Sequence, residues 1–175
     1  FFDDDDASTE ELSNPTDLRV FALACAFARG ESVDSIFEKT KINPWFLCKL
    51  QEINQMRVML GDYECSTVSA ELLRFAKQQG FSDLQIAQAL EGTPTEMDVR
   101  AARKAKGVLP VVKQIDTLAA EFPAQTNYLY MTYNGTMSDQ PVRKSGVFRL
   151  NHEAPSTMVL GCGAYRIGSS VEFDW

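Results

Sequence analysis

Gly30–Pro44 reads GESVDSIFEKTKINP and Gly80–Pro94 reads GFSDLQIAQALEGTP. Laid over each other, fifty residues apart, Gly30, Ser32, Ile36 and Pro44 match Gly80, Ser82, Ile86 and Pro94. The echo reaches upstream, where Leu23 and Ala26 match Leu73 and Ala76. Each unit reads as a helix, a glycine stop, a short helix capped by serine, and a third helix started by proline. Two such units stacked would make a compact helical domain. The alternative is chance convergence of capping residues.

Working outward, Asn14-Pro15 predicts an N-cap and first-turn proline, with Val20, Phe21, Ala24, Phe27 and Ala28 at helical spacing up to Gly30. Ser32 caps a helix carrying Val33, Ile36 and Phe37. Asn43-Pro44 opens a longer helix with Phe46, Leu47, Leu50, Ile53 and Met56 on one side, ending near Gly61. Trp45 and Phe46 read as core, since aromatics at helical spacing usually face inward. Ser69 starts the next helix, with Leu72, Leu73 and Ala76. Ser82 with Gln85, and Thr93 with Glu96 around Pro94, read as capping boxes, and the last helix ends near Gly107.

The pattern changes after Gly107. Residues 109–116 read as extended, Thr117–Phe122 as a helical turn, and Tyr128–Tyr133 as a short strand rich in aromatics. Asn134-Gly135 begins a polar, turn-rich loop or linker running to Thr157. Met158-Val159-Leu160 then meets a glycine-spaced turn, Gly161, Gly163 and Gly168, followed by Glu172 and Asp174. Such a strand and turn opens many nucleotide-binding α/β domains, because glycine lets backbone approach a ligand. A tight turn packing the strand is the alternative. One strand and turn cannot bury a core, so the chain reads as a piece of a larger protein, cut just inside its next domain. The fold class is mainly α: a helical domain, an extended connector and the first strand and turn of an α/β domain.

The 175 residues carry a net charge of −7, and 45% are hydrophobic. That balance argues against nucleic acid as a main partner, because phosphate contacts need a cationic face. Residues 82–107 nonetheless imitate a helix-turn-helix reader, with Arg100, Arg103, Lys104 and Lys106 on the second helix. Two ordinary packed helices with a basic solvent face are the plainer reading. Asp3–Asp6 read as a solvated run. Four dispersed cysteines and the single His152 form no zinc pattern. The cysteines read as reduced thiols, with Cys25 and Cys48 as small core residues. No apolar run reaches membrane-spanning length, so no membrane partner is expected.

Several strings carry a family resemblance. Residues 161–175 resemble the start of the second synthetase half in the large subunit of carbamoyl-phosphate synthetase, whose motif there is G-x-G-x-x-R-I-G-x-x-x-E-F-D-aromatic. Ser169 and Trp175 are like the eukaryotic branch, and Ala164 stands where the family commonly has proline. Gly30-x-Ser32-Val33-Asp34-x-Ile36, Thr40–Leu47 and Gly80–Asp83 resemble the helical oligomerisation domain between the halves. Lys113–Tyr130 is similar to the connecting segment of eukaryotic members. The resemblance weakens over residues 135–157.

The resemblance implies a division into an acidic lead-in (1–13), the oligomerisation domain (14–107), a connecting segment (108–133), a variable linker (134–157) and the start of a pre-ATP-grasp domain (158–175). It implies an architectural role in an ATP-dependent ligase that uses bicarbonate, glutamine-derived ammonia and two ATP. Arg166 and Glu172 match tunnel-facing positions that would line the carbamate path, a structural ion pair or a capped turn being the alternative. Gly161, Gly163 and Gly168 would shape the backbone. No catalytic residue, metal ligand or cofactor is expected within the chain itself, and ATP with Mg or Mn belongs to the parent. The partners implied are the flanking synthetase halves, a glutamine amidotransferase domain or subunit, and further copies of the chain. The expected compartment is cytoplasmic, or mitochondrial for an arginine- or urea-type parent. An independent helical interaction module is the competing reading.

Overall fold

The computed structural model describes residues 10–123 and 128–140. Backbone contacts divide the chain after Gln140, and all the described residues fall in the first unit. A short helical segment, 10–13, precedes six helices: α1 (Arg19–Ala28), α2 (Val33–Thr40), α3 (Pro44–Leu60), α4 (Ala70–Gln78), α5 (Asp83–Ala89) and α6 (Glu96–Ala105). Two strands follow, β1 (Val111–Gln114) and β2 (Leu129–Thr132), paired antiparallel with Val112 opposite Met131. The described fold is mainly α.

Most helix boundaries follow from side-chain oxygens that satisfy free N–H groups in a first turn. Ser32, Ser69 and Ser82 accept from the backbone N–H three residues on. Asn43 accepts from Trp45 ahead of Pro44. Ser82 and Gln85 form the expected reciprocal box. The helix ends repeat one design. Gly30 and Gly80 adopt φ +85° and +94°, and Glu31 and Phe81 donate back to Ala26 and Ala76, closing a Schellman turn in each unit. Leu23, Ala26 and Ile36, and Leu73, Ala76 and Ile86, are all buried.

The echo is therefore structural at its glycines, serines and apolar positions, but not at its second proline. Pro94 does not begin a helix. Gly92 and Thr93 form a left-handed turn, and α6 starts two residues later than expected. Its box is Thr95 with Asp98, not Thr93 with Glu96. An Asp at N3 reaches back to the cap N–H, at 2.8 Å. Asn14-Pro15 also differs from expectation. It ends the 10–13 segment, with Asn14 N–H bonded to Glu10 O at 3.0 Å, and α1 opens at Arg19 without a side-chain cap. A proline just past a helix end is as consistent with stopping as with starting.

Two apolar clusters lie under the helices. Leu12, Ala22, Leu23, Ala26, Phe27, Ile36 and Leu47 form one. The other gathers Met56, Leu60, Val68, Leu73, Ile86, Leu90, Val99 and Val108, among others. The α3 helix is shared, giving Leu47 to the first cluster and Met56 and Leu60 to the second. The guanidinium of Arg19 ties the first unit together, donating to Leu12 O at 2.6 Å and Thr40 O at 3.2 Å.

The expected inward faces of α1 and α3 need correction. Phe27 is buried as expected, but Val20, Phe21, Ala24 and Ala28 are exposed, and α1 buries Ala22, Leu23 and Ala26 in their place. Phe46 and Ile53 are exposed, while Leu47 and Met56 are buried as expected. Both helices are apolar around much of their circumference, so spacing alone permits more than one inward stripe and packing selects it. The cysteines are corrected as well: Cys48 is exposed and Cys25 half-buried. Residues 117–122 form a turn but not a helical one. Asp116 accepts from Leu118 and Ala120, and Ala119 and Ala120 are left-handed.

Candidate functional site

Arg166, Glu172, Gly161, Gly163 and Gly168, together with His152 and Cys162, lie outside the described residues. The described chain offers two other features: an exposed aromatic pair on α3, and a charged cluster where the helices meet the hairpin.

Trp45 and Phe46 sit in the first turn of α3, 61% and 58% exposed. Their rings meet edge to face with centroids 4.9 Å apart, and Lys49 Nζ lies 6.0 Å from the Trp45 ring. The expectation that this pair is core is wrong. It fails because Leu47, the next residue, already points into the first cluster. Successive residues on a helix point about 100° apart, so a buried Leu47 carries its two neighbours outward.

The charged cluster centres on Asp83, at N1 of α5 and only 7% exposed. Arg103, also 7% exposed, donates Nε to Asp83 Oδ1 at 2.8 Å and holds Oδ2 with Nη2 at 2.8 Å. Lys77 Nζ adds a contact to Oδ1 at 3.1 Å and donates to Phe81 O at 2.6 Å. Burial alone would push the Asp83 carboxyl up. The hydrogen bonds from Arg103 and Lys77 outweigh it and hold the group below the ordinary aspartate value. The same pairing raises the Arg103 guanidinium above its ordinary value.

Tyr133, just after β2, brings its ring to this cluster. Lys77 Nζ stands 5.3 Å from the ring centroid and the Arg103 guanidinium carbon 5.8 Å. Gln78 Nε2 donates to Tyr133 O at 3.2 Å. Burial pushes the Tyr133 phenol up, partly offset by Arg103. Beside it opens a cleft of about 400 Å³, lined by Arg100, Arg103 and Lys104 of α6 and by Leu109, Met131 and Tyr133.

This geometry revises the nucleic-acid imitation. Arg103 is committed to Asp83 and cannot reach a groove, and Lys106 Nζ donates to Val68 O. Arg100 and Lys104 remain exposed, too few for a recognition helix on an acidic chain. The sequence reading missed the Asp83–Arg103 pair. A carboxylate in the first turn of α5 and an arginine in the last turn of α6 are ordinary helix-terminus charges. Only the packing of the two helices against each other reveals that they meet. Among the described residues no group of His, Cys, Asp and Glu could hold a metal ion, and no helix is long and apolar enough to cross a membrane.

A family model described as "Carbamoyl-phosphate synthetase large chain, oligomerisation domain" matches residues 2–107. The chain is 52% identical over 169 residues to "Multifunctional protein pyr1-3" of Dictyostelium discoideum, covering 96% of this chain and 7% of that protein. It is 46% identical to the mitochondrial "Carbamoyl-phosphate synthase [ammonia]" of Rattus norvegicus, covering 95% of this chain and 10% of that one. It is 50% identical to "Carbamoyl phosphate synthase arginine-specific large chain" of Cutaneotrichosporon cutaneum, covering 94% and 13%. The chain thus spans between 7% and 13% of the length of these relatives. The matched residues 2–107 hold all six helices, both apolar clusters except Val108, and the whole Lys77–Asp83–Arg103 cluster. The chain belongs to the carbamoyl-phosphate synthetase large-chain oligomerisation-domain family.

Proposed function

We propose that this chain is an architectural segment of a carbamoyl-phosphate synthetase. In this reading the helical domain, residues 14–107, joins two synthetase halves and contributes to self-association. Residues 108–133 are the connecting segment, 134–157 a variable linker, and 158–175 the start of the second half. The parent makes carbamoyl phosphate from bicarbonate, glutamine-derived ammonia and two ATP, with Mg or Mn. A glutamine amidotransferase domain or subunit supplies the ammonia. The compartment is cytoplasmic, or mitochondrial for an arginine- or urea-type parent. The observation that carries this reading is the family match across a helical unit whose core is already closed by its own residues.

The described residues do not fit an ATP–metal site. The lining of the α6–hairpin cleft holds cations and apolar groups but no carboxylate to take a metal. In this reading the chain is catalytically silent by itself, and calorimetry should find no tight stoichiometric ATP binding. Sedimentation equilibrium over a wide concentration range tests association, and a strict monomer throughout would count against it. In the parent, Arg166 and Glu172 line the carbamate path between the halves. Glu172→Ala or Arg166→Met should spare bicarbonate-dependent ATP hydrolysis while lowering carbamoyl phosphate formed per ATP. A fall of both partial reactions together with the melting temperature would instead mark a structural pair.

A further inference from the structure

The hairpin is the least self-sufficient part of the described chain. Two strands of four residues bury too little to hold themselves in water. After Val108 none of the described residues is buried. Its own loop helps. Asp139 N–H donates to Val112 O at 2.9 Å, and Ser138 Oγ and Asp139 Oδ2 accept from Val112 and Gln114 along the outer edge of β1. Those bonds shape the hairpin without placing it on the helices. The contacts that do so converge on Tyr133: two cations facing its ring, the Gln78 amide on its carbonyl, and packing against the second apolar cluster.

We infer that Tyr133 is a latch: its ring, facing the cations that Asp83 gathers, is the contact by which the oligomerisation domain positions the connecting hairpin. The chemistry favours this arrangement. Lys77 and Arg103 together bring two positive charges to the single Asp83 carboxylate. The π face of a tyrosine is electron-rich and accepts the remaining positive field without adding a charge that would need its own partner. Asp83 in turn fixes both cations, so the ring meets a preset surface. The helices do not depend on the ring, since each unit has its own caps and Schellman ends. Losing the ring should release the hairpin and leave the helical domain folded. That the latch serves to aim the chain toward a second synthetase half rests on the function proposed above; the latch itself does not.

Hydrogen exchange of the 175-residue chain, resolved by segment, separates these statements. In Tyr133→Leu the amides of Val111–Gln114 and Leu129–Thr132 should exchange about tenfold faster, the scale of one or two lost cation–π contacts. Those of α4 and α5 should stay at the wild-type rate. Tyr133→Phe should match wild type, because the ring face and not the hydroxyl meets the cations. Lys77→Met should speed hairpin exchange to a lesser degree, and it carries the same test should Tyr133→Leu not fold. Unchanged hairpin exchange in Tyr133→Leu or Lys77→Met would overturn the latch. So would an equal rise in α4 and α5, or a Tyr133→Phe variant as damaged as Tyr133→Leu. Sedimentation of the same samples reads association separately: a monomeric wild-type chain would remove that proposal and leave the latch to the exchange data.

Discussion

The helical residues up to Gly107 and the hairpin after them use apolar side chains in opposite ways. In the helices, Leu23, Ile36, Leu47, Leu73, Ile86 and Val99 meet one another inside two closed clusters. In the hairpin, Leu129, Tyr130 and Met131 are all exposed, although they obey the strand composition just as well. Local pattern is satisfied in both regions, but only the helices turn it into burial. A helix pair meets at i, i+3 and i+4 spacing and can close a core with a few turns. A two-stranded ribbon has two faces and needs another layer for either. The helical domain should therefore carry the stability of the chain, with the hairpin attached through Tyr133.

That contrast breaks most visibly at Asp83, which serves both regions. Asp83→Ala leaves the buried Arg103 and the half-buried Lys77 without their anion, and loss of one partner from such a buried pair costs about 3–5 kcal/mol. Thermal unfolding should show the loss in the helical transition, together with release of the hairpin. The pH dependence has a definite sign. The folded Asp83 carboxyl sits below its unfolded value, so its contribution is complete above the unfolded value and disappears as pH falls through the folded one. Wild type should lose melting temperature on acidification below about pH 4 more steeply than Asp83→Asn. Equal slopes would show that the pair adds nothing.

Leu47→Ala tests the helical side alone. Leu47 is fully buried at the start of the shared helix, and its truncation should cost about 3 kcal/mol. Ser82→Ala removes half of a reciprocal capping box and should cost about 1 kcal/mol. Chemical denaturation reads both. A Ser82→Ala loss as large as that of Leu47→Ala would mean that α5 depends on its cap more than on its packing.

The helices were legible because their punctuation is chemical and local. Ser32, Ser69, Ser82, Gly30 and Gly80 act within four residues of themselves, and each stands where its reading placed it. Readings that needed a tertiary partner fared less well. Of the α1 stripe of Val20, Phe21, Ala24, Phe27 and Ala28 only Phe27 is buried, because the helix is apolar around much of its circumference and packing selects Ala22, Leu23 and Ala26 beside it. The proline at position 94 misled by two residues, since Thr95-x-x-Asp98 supplies the same box chemistry as the Thr93-x-x-Glu96 pattern. The Lys77–Asp83–Arg103–Tyr133 cluster had no local signature, as it joins residues up to 56 apart by sequence. The family was legible from strings, and Arg166 and Glu172 stay with that reading as a proposal for the parent.

The smallest expected effect is the most discriminating. Phe46 and Leu47 are adjacent, apolar and similar in size, and the sequence placed both on one inward side. Leu47 is fully buried, while Phe46 is 58% exposed beside Trp45. Phe46→Ser should therefore change the stability of the isolated chain by no more than about 0.5 kcal/mol, as expected of a surface position that keeps no buried partner. Serine has only a modestly poorer helix propensity than alanine, and phenylalanine is no better, so the backbone term nearly cancels. The measurement is denaturant unfolding at a concentration where wild type is monomeric, which removes any contribution from association. A loss approaching that of Leu47→Ala would show that the ring packs on the core after all, and the assignment of the exposed side of α3 would be wrong. A neutral result confines the Phe46–Trp45 pair to whatever the domain meets outside itself, and repeating the unfolding at rising concentration then reads whether a second copy covers it: stability should increase with concentration in wild type and less so in Phe46→Ser.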